Sequence, residues 1–160
     1  MQIEIKKMET DDEIRGKAYV HWKSWHETYP GLVSETYLKG LSLEAVEERA
    51  FLWRDNILVA KDGERVVGFI GFGEAGDALP ETAEIFALYV LRAYCGQGVG
   101  TRLMDAALER LKQYPRICLW VLKENKRAIR FYETRGFRPD GEEKYVGKIE
   151  AAGIRMILTR

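Results

Sequence analysis

The chain has 160 residues, of which 46% are hydrophobic, 31% charged and 11% aromatic. Its 25 basic and 25 acidic side chains give a formal net charge of zero, whereas nucleic-acid-binding proteins normally carry a basic excess. No apolar run reaches the roughly 18 residues that a membrane span needs, so we expect neither a nucleic-acid partner nor a membrane. Two cysteines without a Cys-x-x-Cys pair indicate a protein of the reducing cytoplasm. The length predicts a single domain over residues 1–160.

The first third of the chain predicts one strand followed by three helices. Apolar and polar residues alternate near the N-terminus, which is the period of a strand. Thr10 and Glu13 have the spacing of a capping box, and the helix that starts there should end at Pro30. A second helix is expected at 35–40, and a third opens at Ser42.

The rest of the chain alternates strand and helix patterns. Asp62-Gly63 separates two apolar runs and predicts a hairpin with a type I′ turn. A run that is apolar on both sides follows at 84–91 and predicts a buried strand. The remaining elements are a helix after the next glycines, a strand at 116–122, a helix at 124–135, and strands at 144–149 and 154–159. The order predicts an α/β (α+β) fold with a mixed sheet and helices on its faces.

A glycine-rich segment joins the buried strand to the next helix. It reads Tyr94-Cys95-Gly96-Gln97-Gly98-Val99-Gly100-Thr101. Glycines let the backbone approach an anion, and the free N–H groups of a first helical turn point at it. A P-loop would need Lys before its Ser or Thr, and a dinucleotide fingerprint would need another glycine where Thr101 or Leu103 stands. A coenzyme A pyrophosphate loop and a turn that only packs the helix on the strand remain open.

Two segments resemble the GNAT superfamily of N-acetyltransferases. In the first, Gly98 and Gly100 match the acetyl-CoA loop of that family, whereas Cys95 stands where Arg or Gln is usual. The second segment matches the family at Asn125, Ala128, Phe131-Tyr132-Glu133 and Gly136-Phe137. The resemblance implies a mixed, mostly antiparallel sheet of six to seven strands, flanked by four to five helices, with acetyl-CoA as cosubstrate.

The resemblance also implies roles for single residues. The coenzyme is expected along the glycine-rich segment, with Asn125 by its pantetheine arm and Tyr132 beside its sulfur. A main-chain N–H within Leu88-Tyr89-Val90 is the implied donor to the thioester oxygen. A phenol of pKa near 10 can donate to a leaving thiolate of pKa about 8.5, so Tyr132 is the expected acid. The alternative is a core aromatic without a catalytic role.

The amine acceptor needs its own residues. An alkyl ammonium must lose a proton before it attacks, which costs roughly 4.6 kcal/mol at neutral pH. Glu84 is the candidate base, with an ordinary surface glutamate as the alternative, and His26 is a weaker candidate. Trp22, Trp25 and Tyr29 recur at helical spacing, so they form either a core stripe or a wall of the acceptor pocket.

These features together predict an enzyme that moves an acetyl group from acetyl-CoA to a primary amine by direct attack in a ternary complex. The amine belongs to a small molecule, a protein or a peptide. Residues 24–29 resemble a polyamine and small-amine branch, and a cationic acceptor is favoured by the acidic residues Glu74, Asp77, Glu81 and Glu84. A non-catalytic acyl-CoA-binding regulatory module is the alternative, and a nucleotide-binding protein is less favoured. No metal site is expected, and the resemblance allows a homodimer.

Overall fold

The computed structural model describes residues 2–76 and 79–160, so Asp77 lies outside the described residues. The strands are β1 (Ile3–Lys7), β2 (Ile57–Asp62), β3 (Arg65–Glu74), β4 (Thr82–Val90), β5 (Arg116–Leu122), β6 (Arg138–Val146) and β7 (Ala151–Thr159). The helices are α1 (Asp11–Thr28), α2 (Glu35–Gly40), α3 (Leu43–Leu52), α4 (Val99–Arg110) and α5 (Lys126–Thr134). Within this described part, no helix combines the length and the hydropathy that crossing a membrane requires.

The seven strands form one sheet in the order β1-β2-β3-β4-β5-β7-β6. Every neighbouring pair is antiparallel except β4 and β5, which are parallel. The mixed, mostly antiparallel sheet expected from the resemblance is therefore confirmed. The last two strands begin earlier than predicted, and 147–149 form a short 3-10 turn rather than strand. The exposed, polar residues 138–145 carry no alternating apolar pattern that could have revealed β6.

The predicted helix starts are set by capping side chains. Thr10 Oγ1 accepts from the N–H of Glu13 at 3.1 Å, and the Glu13 carboxylate accepts from the N–H of Thr10. This is the predicted capping box, and α1 ends at Thr28, just before Pro30. Ser42 caps α3 in the same way, because its Oγ accepts from the N–H of Ala45.

The predicted hairpin joins β2 and β3, but its turn is not of type I′. Asp62 is still paired, with Arg65, so the two turn residues are Gly63 and Glu64. Gly63 has φ of 61°, whereas Glu64 has no positive φ, and a type I′ turn needs positive φ at both central residues. The prediction placed Asp62 inside the turn, one residue too early.

Helices cover both faces of the sheet at β3. Neighbouring residues of a strand point to opposite faces, and here Phe69 lies under Lys17 of α1 while Gly68 lies next to Leu103 of α4. At Gly16, an added Cβ would lie only 2.7 Å from Val66 Cγ2. A glycine is therefore needed in the middle of α1, because the helix backbone comes very close to the sheet.

Strands β4 and β5 stay together for only part of their length. Pairing runs from Thr82 to Ile85 of β4, opposite Arg116 to Leu119 of β5. In the same place the register between β3 and β4 shifts, which leaves Phe86 as an extra residue in β4. A bulge of this kind bends and twists its strand. The ends of β4 and β5 separate beyond it, and an opening forms in the middle of the sheet.

A buried carboxylate attaches α1 to this sheet. Glu13 is 4% exposed, and its Oε2 accepts from Lys6 Nζ at 2.6 Å and from Lys61 Nζ at 3.1 Å. Burial alone would raise the pKa of Glu13, but these cations and the N–H groups of Glu9 and Thr10 lower it to about 2. The carboxylate is thus much more stable in the folded chain than in the unfolded chain.

We expect Glu13→Gln to lower the free energy of unfolding by about 2–3 kcal/mol at pH 7. Because the folded pKa is depressed, this contribution is present above the ordinary glutamate pKa and is lost as the pH falls from about 5 towards 2. Urea unfolding of both proteins at pH 7, 5 and 3 measures it. Glu9→Gln is the control, since the Glu9 side chain is 63% exposed and pairs with Lys6. A Glu13→Gln deficit that stays constant with pH would contradict the expectation.

Candidate active site

The opening between β4 and β5 is a cleft of about 480 Å³. It brings together the two segments that carried the resemblance, although they lie far apart in the sequence. The sheet contributes 85–90 of β4, 119–122 of β5, Lys144 and Val146 of β6, and Gly153 of β7. The other walls come from Ser24, Trp25, Thr28 and Tyr29 of α1, the glycine-rich segment, Ile149, and α5 with the residue that precedes it. The cleft is therefore the candidate active site.

The edge of β4 in this cleft has main-chain groups without a strand partner. The N–H of Leu91 donates to Val67 O of β3 at 2.9 Å, and Tyr89 pairs with Phe69 of the same strand. Main-chain groups alternate in direction along a strand, so those of Leu88 and Val90 point away from β3 and into the cleft. Because β5 has separated here, this edge can bind an extended ligand that carries amide groups.

The glycine-rich segment presents N–H groups at the end of this edge. Gly96 and Gly98 have φ of 79° and 81°, which glycine adopts without strain. Gly98 caps α4 without any side-chain hydrogen bond. The first bond of the helix runs from the N–H of Arg102 to Gly98 O, so the N–H groups of 99–101 have no acceptor within the helix. This arrangement suits an anion.

Three side chains of the glycine-rich segment contribute little to an anion site. Gln97 donates to Ala93 O at 3.2 Å, and Val99 is buried in the core, so neither side chain lines the cleft. Cys95 Sγ lies 3.6 Å from Val90 O, and burial raises the pKa of its thiol. The thiol therefore stays protonated. Among the described residues that line the cleft, the cation near this segment is Arg127 of α5, which the sequence analysis did not single out.

Asn125 and Tyr132, which the resemblance implies lie at the coenzyme, both line the cleft, but α5 begins later than predicted. Asn125 lies outside the helix and caps it, because its Oδ1 accepts from the N–H of Ala128 at 3.3 Å. Its amide NH₂ is left to donate to a ligand. The helix ends as predicted, with Gly136 at φ of 95°.

The Tyr132 hydroxyl is a protonated group inside the cleft. The ring packs between Phe131 and Phe137, with centroids 5.5 and 6.0 Å away. Burial, with a smaller effect from Tyr89, raises the pKa of Tyr132 well above its ordinary value. The phenol is therefore a hydrogen-bond donor across the neutral pH range.

Aromatic side chains of α1 pack against β4 on the face of the sheet opposite to α4. Trp25 Nε1 donates to Tyr89 Oη at 3.0 Å, and Tyr29 Oη lies 3.4 Å from the same oxygen. His21 stacks on the Tyr89 ring at 5.5 Å, and burial lowers the pKa of His21 to about 4, so this imidazole is neutral. These residues fix the wall of the cleft beside Tyr89.

The sequence left Trp22 between a core stripe and a wall of the acceptor pocket and named His26 as a weaker base candidate, and the structure places both outside the cleft wall. Trp22 Nε1 donates to Leu41 O at 3.0 Å, and His26 Nε2 lies 3.4 Å from the same carbonyl oxygen. Positions 22 and 26 are one turn apart and face the α2–α3 connection. Positions 25 and 29 are also one turn apart, but they face the cleft.

Comparison with known proteins decides the family. The model of the Acetyltransferase (GNAT) family matches residues 19–137. The chain belongs to the GNAT family. It is 28% identical to the uncharacterized N-acetyltransferase YuaI of Bacillus subtilis, over 91% of this chain and 84% of YuaI. It is 30% identical to an N-acetyltransferase of Archaeoglobus fulgidus, over 85% and 93% of the two chains. The PaiA N-acetyltransferase of Thermoplasma acidophilum, crystallised with coenzyme A, has the same fold, with a TM-score of 0.78 over both whole chains at 23% identity.

In this GNAT-family chain Glu84 lies beside the cleft rather than in its wall. It belongs to the paired part of β4, opposite Cys118, whose Sγ lies 3.8 Å from Glu84 Oε1. Burial raises the pKa of Glu84, and the positive charges of Lys144 and Arg155 oppose that rise. Because Glu84 does not line the cleft, a bridging water is a route by which its carboxylate can act on a cleft ligand.

The charged side chains that line the cleft are basic among the described residues. They are Arg127 and Lys144. Lys144 Nζ lies 4.2 Å from the centroid of Trp120, another wall residue. Glu74 accepts instead from the Tyr114 hydroxyl, outside the cleft, and neither Glu81 nor Glu84 lines the cleft. In the described ranges, no group of three His, Cys, Asp or Glu side chains could hold a metal ion.

The two glycines of the family motif should respond differently to alanine. Gly98 has positive φ and open space around it, so Gly98→Ala should destabilise the chain by about 1–2 kcal/mol through backbone strain alone. At Gly100 an added Cβ would lie 3.7 Å from Phe131 Cζ, an ordinary contact, and Ala is the better helix former by up to ~1 kcal/mol. Urea unfolding of the ligand-free variants measures both. Equal losses would contradict the assigned conformations.

Proposed function

We propose that this chain transfers an acetyl group from acetyl-CoA to a primary amine by direct attack in a ternary complex. The observation that carries the proposal is the unpaired edge of β4, which leads to the N-terminus of α4 and has the Tyr132 hydroxyl beside it. The coenzyme, when bound, supplies the activated acetyl thioester. Membership of the acetyltransferase family supports this reaction over a non-catalytic module.

The residues of the cleft fit the successive parts of coenzyme A. The N–H groups of 99–101 suit its diphosphate, and open space around Gly96 and Gly98 leaves room for the approach. The main-chain groups of Leu88 and Val90 suit the amides of the pantetheine arm, which would lie along β4 in the place that β5 vacates. The free amide of Asn125 faces the same cleft from the other side.

The chain's own groups can hold the charges that develop during transfer. A main-chain N–H of the β4 edge donates to the carbonyl oxygen of the acetyl group as that oxygen becomes negative. The Tyr132 hydroxyl donates to the sulfur as the thiolate leaves, and its raised pKa keeps it protonated for that purpose. Glu84 takes the proton of the amine through a water molecule, and its raised pKa makes it a better base.

Tyr132→Phe should leave coenzyme A binding unchanged within about twofold and slow turnover by roughly 10²-fold or more. Calorimetry with coenzyme A gives the affinity, and thiol release with acetyl-CoA and an amine gives the rate. Tyr145→Phe is the control, since Tyr145 is 68% exposed and does not line the cleft. An unchanged rate on a good acceptor would remove Tyr132 from the mechanism.

Glu84→Gln should slow transfer most near neutral pH and recover partly at high pH, where more of the amine is already neutral. In the parent protein, activity should rise through the pKa of Glu84, because the base must be ionised. The pH profile of kcat/KM for both proteins tests this. If the variant shows the parent's profile, Glu84 is not the base.

The acceptor side of the cleft favours an amine without additional positive charges. Lys144 and Trp120 line it, and the described wall contains no carboxylate to pair with a polycation. A panel of small monoamines, amino acids, peptides and polyamines, followed by thiol release, tests the reaction and its acceptor together. We expect higher kcat/KM for a monoamine or a peptide than for a polyamine of similar length. A preference for polyamines would contradict this, and no transfer to any amine would favour the regulatory module.

A further inference from the structure

One fully buried hydroxyl in the wall of the cleft has no partner among the described residues. Ser24 of α1 is 2% exposed, and its Oγ makes no hydrogen bond. A serine inside a helix commonly donates to the carbonyl oxygen four residues earlier, but here Val20 O receives no such bond. The other buried side-chain atom without a partner in the described ranges is Nε of Arg135, and another nitrogen of that guanidinium binds Asp105. Ser24 is thus a complete side-chain polar group left unsatisfied.

The position of Ser24 along the cleft follows from its neighbours on α1. Three residues earlier, His21 stacks on Tyr89. Three residues later, Glu27 Oε1 accepts from the N–H of Arg92 at 3.1 Å. Ser24 therefore stands beside the end of β4, between Tyr89 and the start of the glycine-rich segment. Thr28, one turn further along the same side of α1, also lines the cleft.

Buried polar groups in folded proteins are nearly always hydrogen-bonded, so an unsatisfied hydroxyl that lines a cleft indicates a ligand. At this position the ligand must carry polar atoms between the group held at the N-terminus of α4 and the group held near Tyr132. The pantetheine arm of coenzyme A carries two amides and a hydroxyl over that stretch. A serine hydroxyl can both donate to and accept from such groups. An amine acceptor is a poorer match, because Trp120 and Lys144 mark its side of the cleft, on β5 and β6.

We propose that the Ser24 hydroxyl hydrogen-bonds to the pantetheine arm of coenzyme A and is left unsatisfied until the coenzyme binds. This inference rests on the proposed use of acetyl-CoA. Ser24 would then determine specificity, because its hydroxyl would favour the whole coenzyme over a ligand that has only the nucleotide part. It also implies that Ser24 strengthens coenzyme binding at the expense of the stability of the ligand-free protein, because a buried hydroxyl without a partner is destabilising.

The proposal is tested with Ser24→Ala and two ligands, coenzyme A and adenosine 3′-phosphate 5′-diphosphate, which lacks the pantetheine arm. Calorimetry should show that the variant binds coenzyme A about 2- to 10-fold more weakly and the nucleotide equally well. The ligand-free variant should melt at the same or a higher temperature than the parent. Ser24→Cys, which has nearly the same volume and a weak S–H donor, should show the same selective loss.

Each other outcome overturns the proposal in a recognisable way. An equal loss for both ligands would mean that Ser24 only shapes the glycine-rich segment. An unchanged affinity for coenzyme A, with a raised KM for the amine, would assign the hydroxyl to the acceptor. A lower melting temperature with unchanged affinities would make Ser24 a packing residue. If the parent protein bound neither ligand, the proposed use of acetyl-CoA would fail instead, and the two failures are thus distinguishable.

Discussion

The function of this fold depends on the point at which β4 and β5 stop pairing. Their parallel pairing ends at Ile85 and Leu119, next to the extra residue Phe86. Inside a sheet, main-chain groups left without a partner are costly, so the open edge at Leu88 and Val90 is available to a ligand that can pair with it. The rest of the site follows from this separation: helices reach the gap from both faces, and the glycine turn closes one end.

The two faces of the gap supply different groups to the cleft. On one face, the N-terminus of α4, Asn125 and α5 supply N–H groups, an amide and a protonated phenol. On the other face, α1 contributes aromatic rings, and Glu13 attaches that helix to β1 and β2 through Lys6 and Lys61. A buried ion pair outside the cleft wall thus holds the helix that carries Tyr29 and Ser24 to the sheet.

Local chemistry made much of this predictable from the sequence. Capping residues such as Thr10 and Ser42 marked helix starts, and the glycine turn with the segment around Tyr132 marked two walls of the cleft. The wall of the cleft on β5 and β6 was not predicted, because β5, β6 and β7 pair over long sequence distances. Trp120 and Lys144 meet only through those pairings, and helical spacing could not show that Trp22 faces Leu41 while Trp25 faces Tyr89.

Amide hydrogen exchange along β4 tests most directly whether the open edge is the binding surface. With saturating coenzyme A, the N–H groups of Leu88 and Val90 should exchange more slowly, together with those at 99–101. The N–H groups of Tyr89 and Leu91, already bonded to β3, should change little. Binding of coenzyme A without slower exchange at Leu88 and Val90 would show that the coenzyme lies elsewhere.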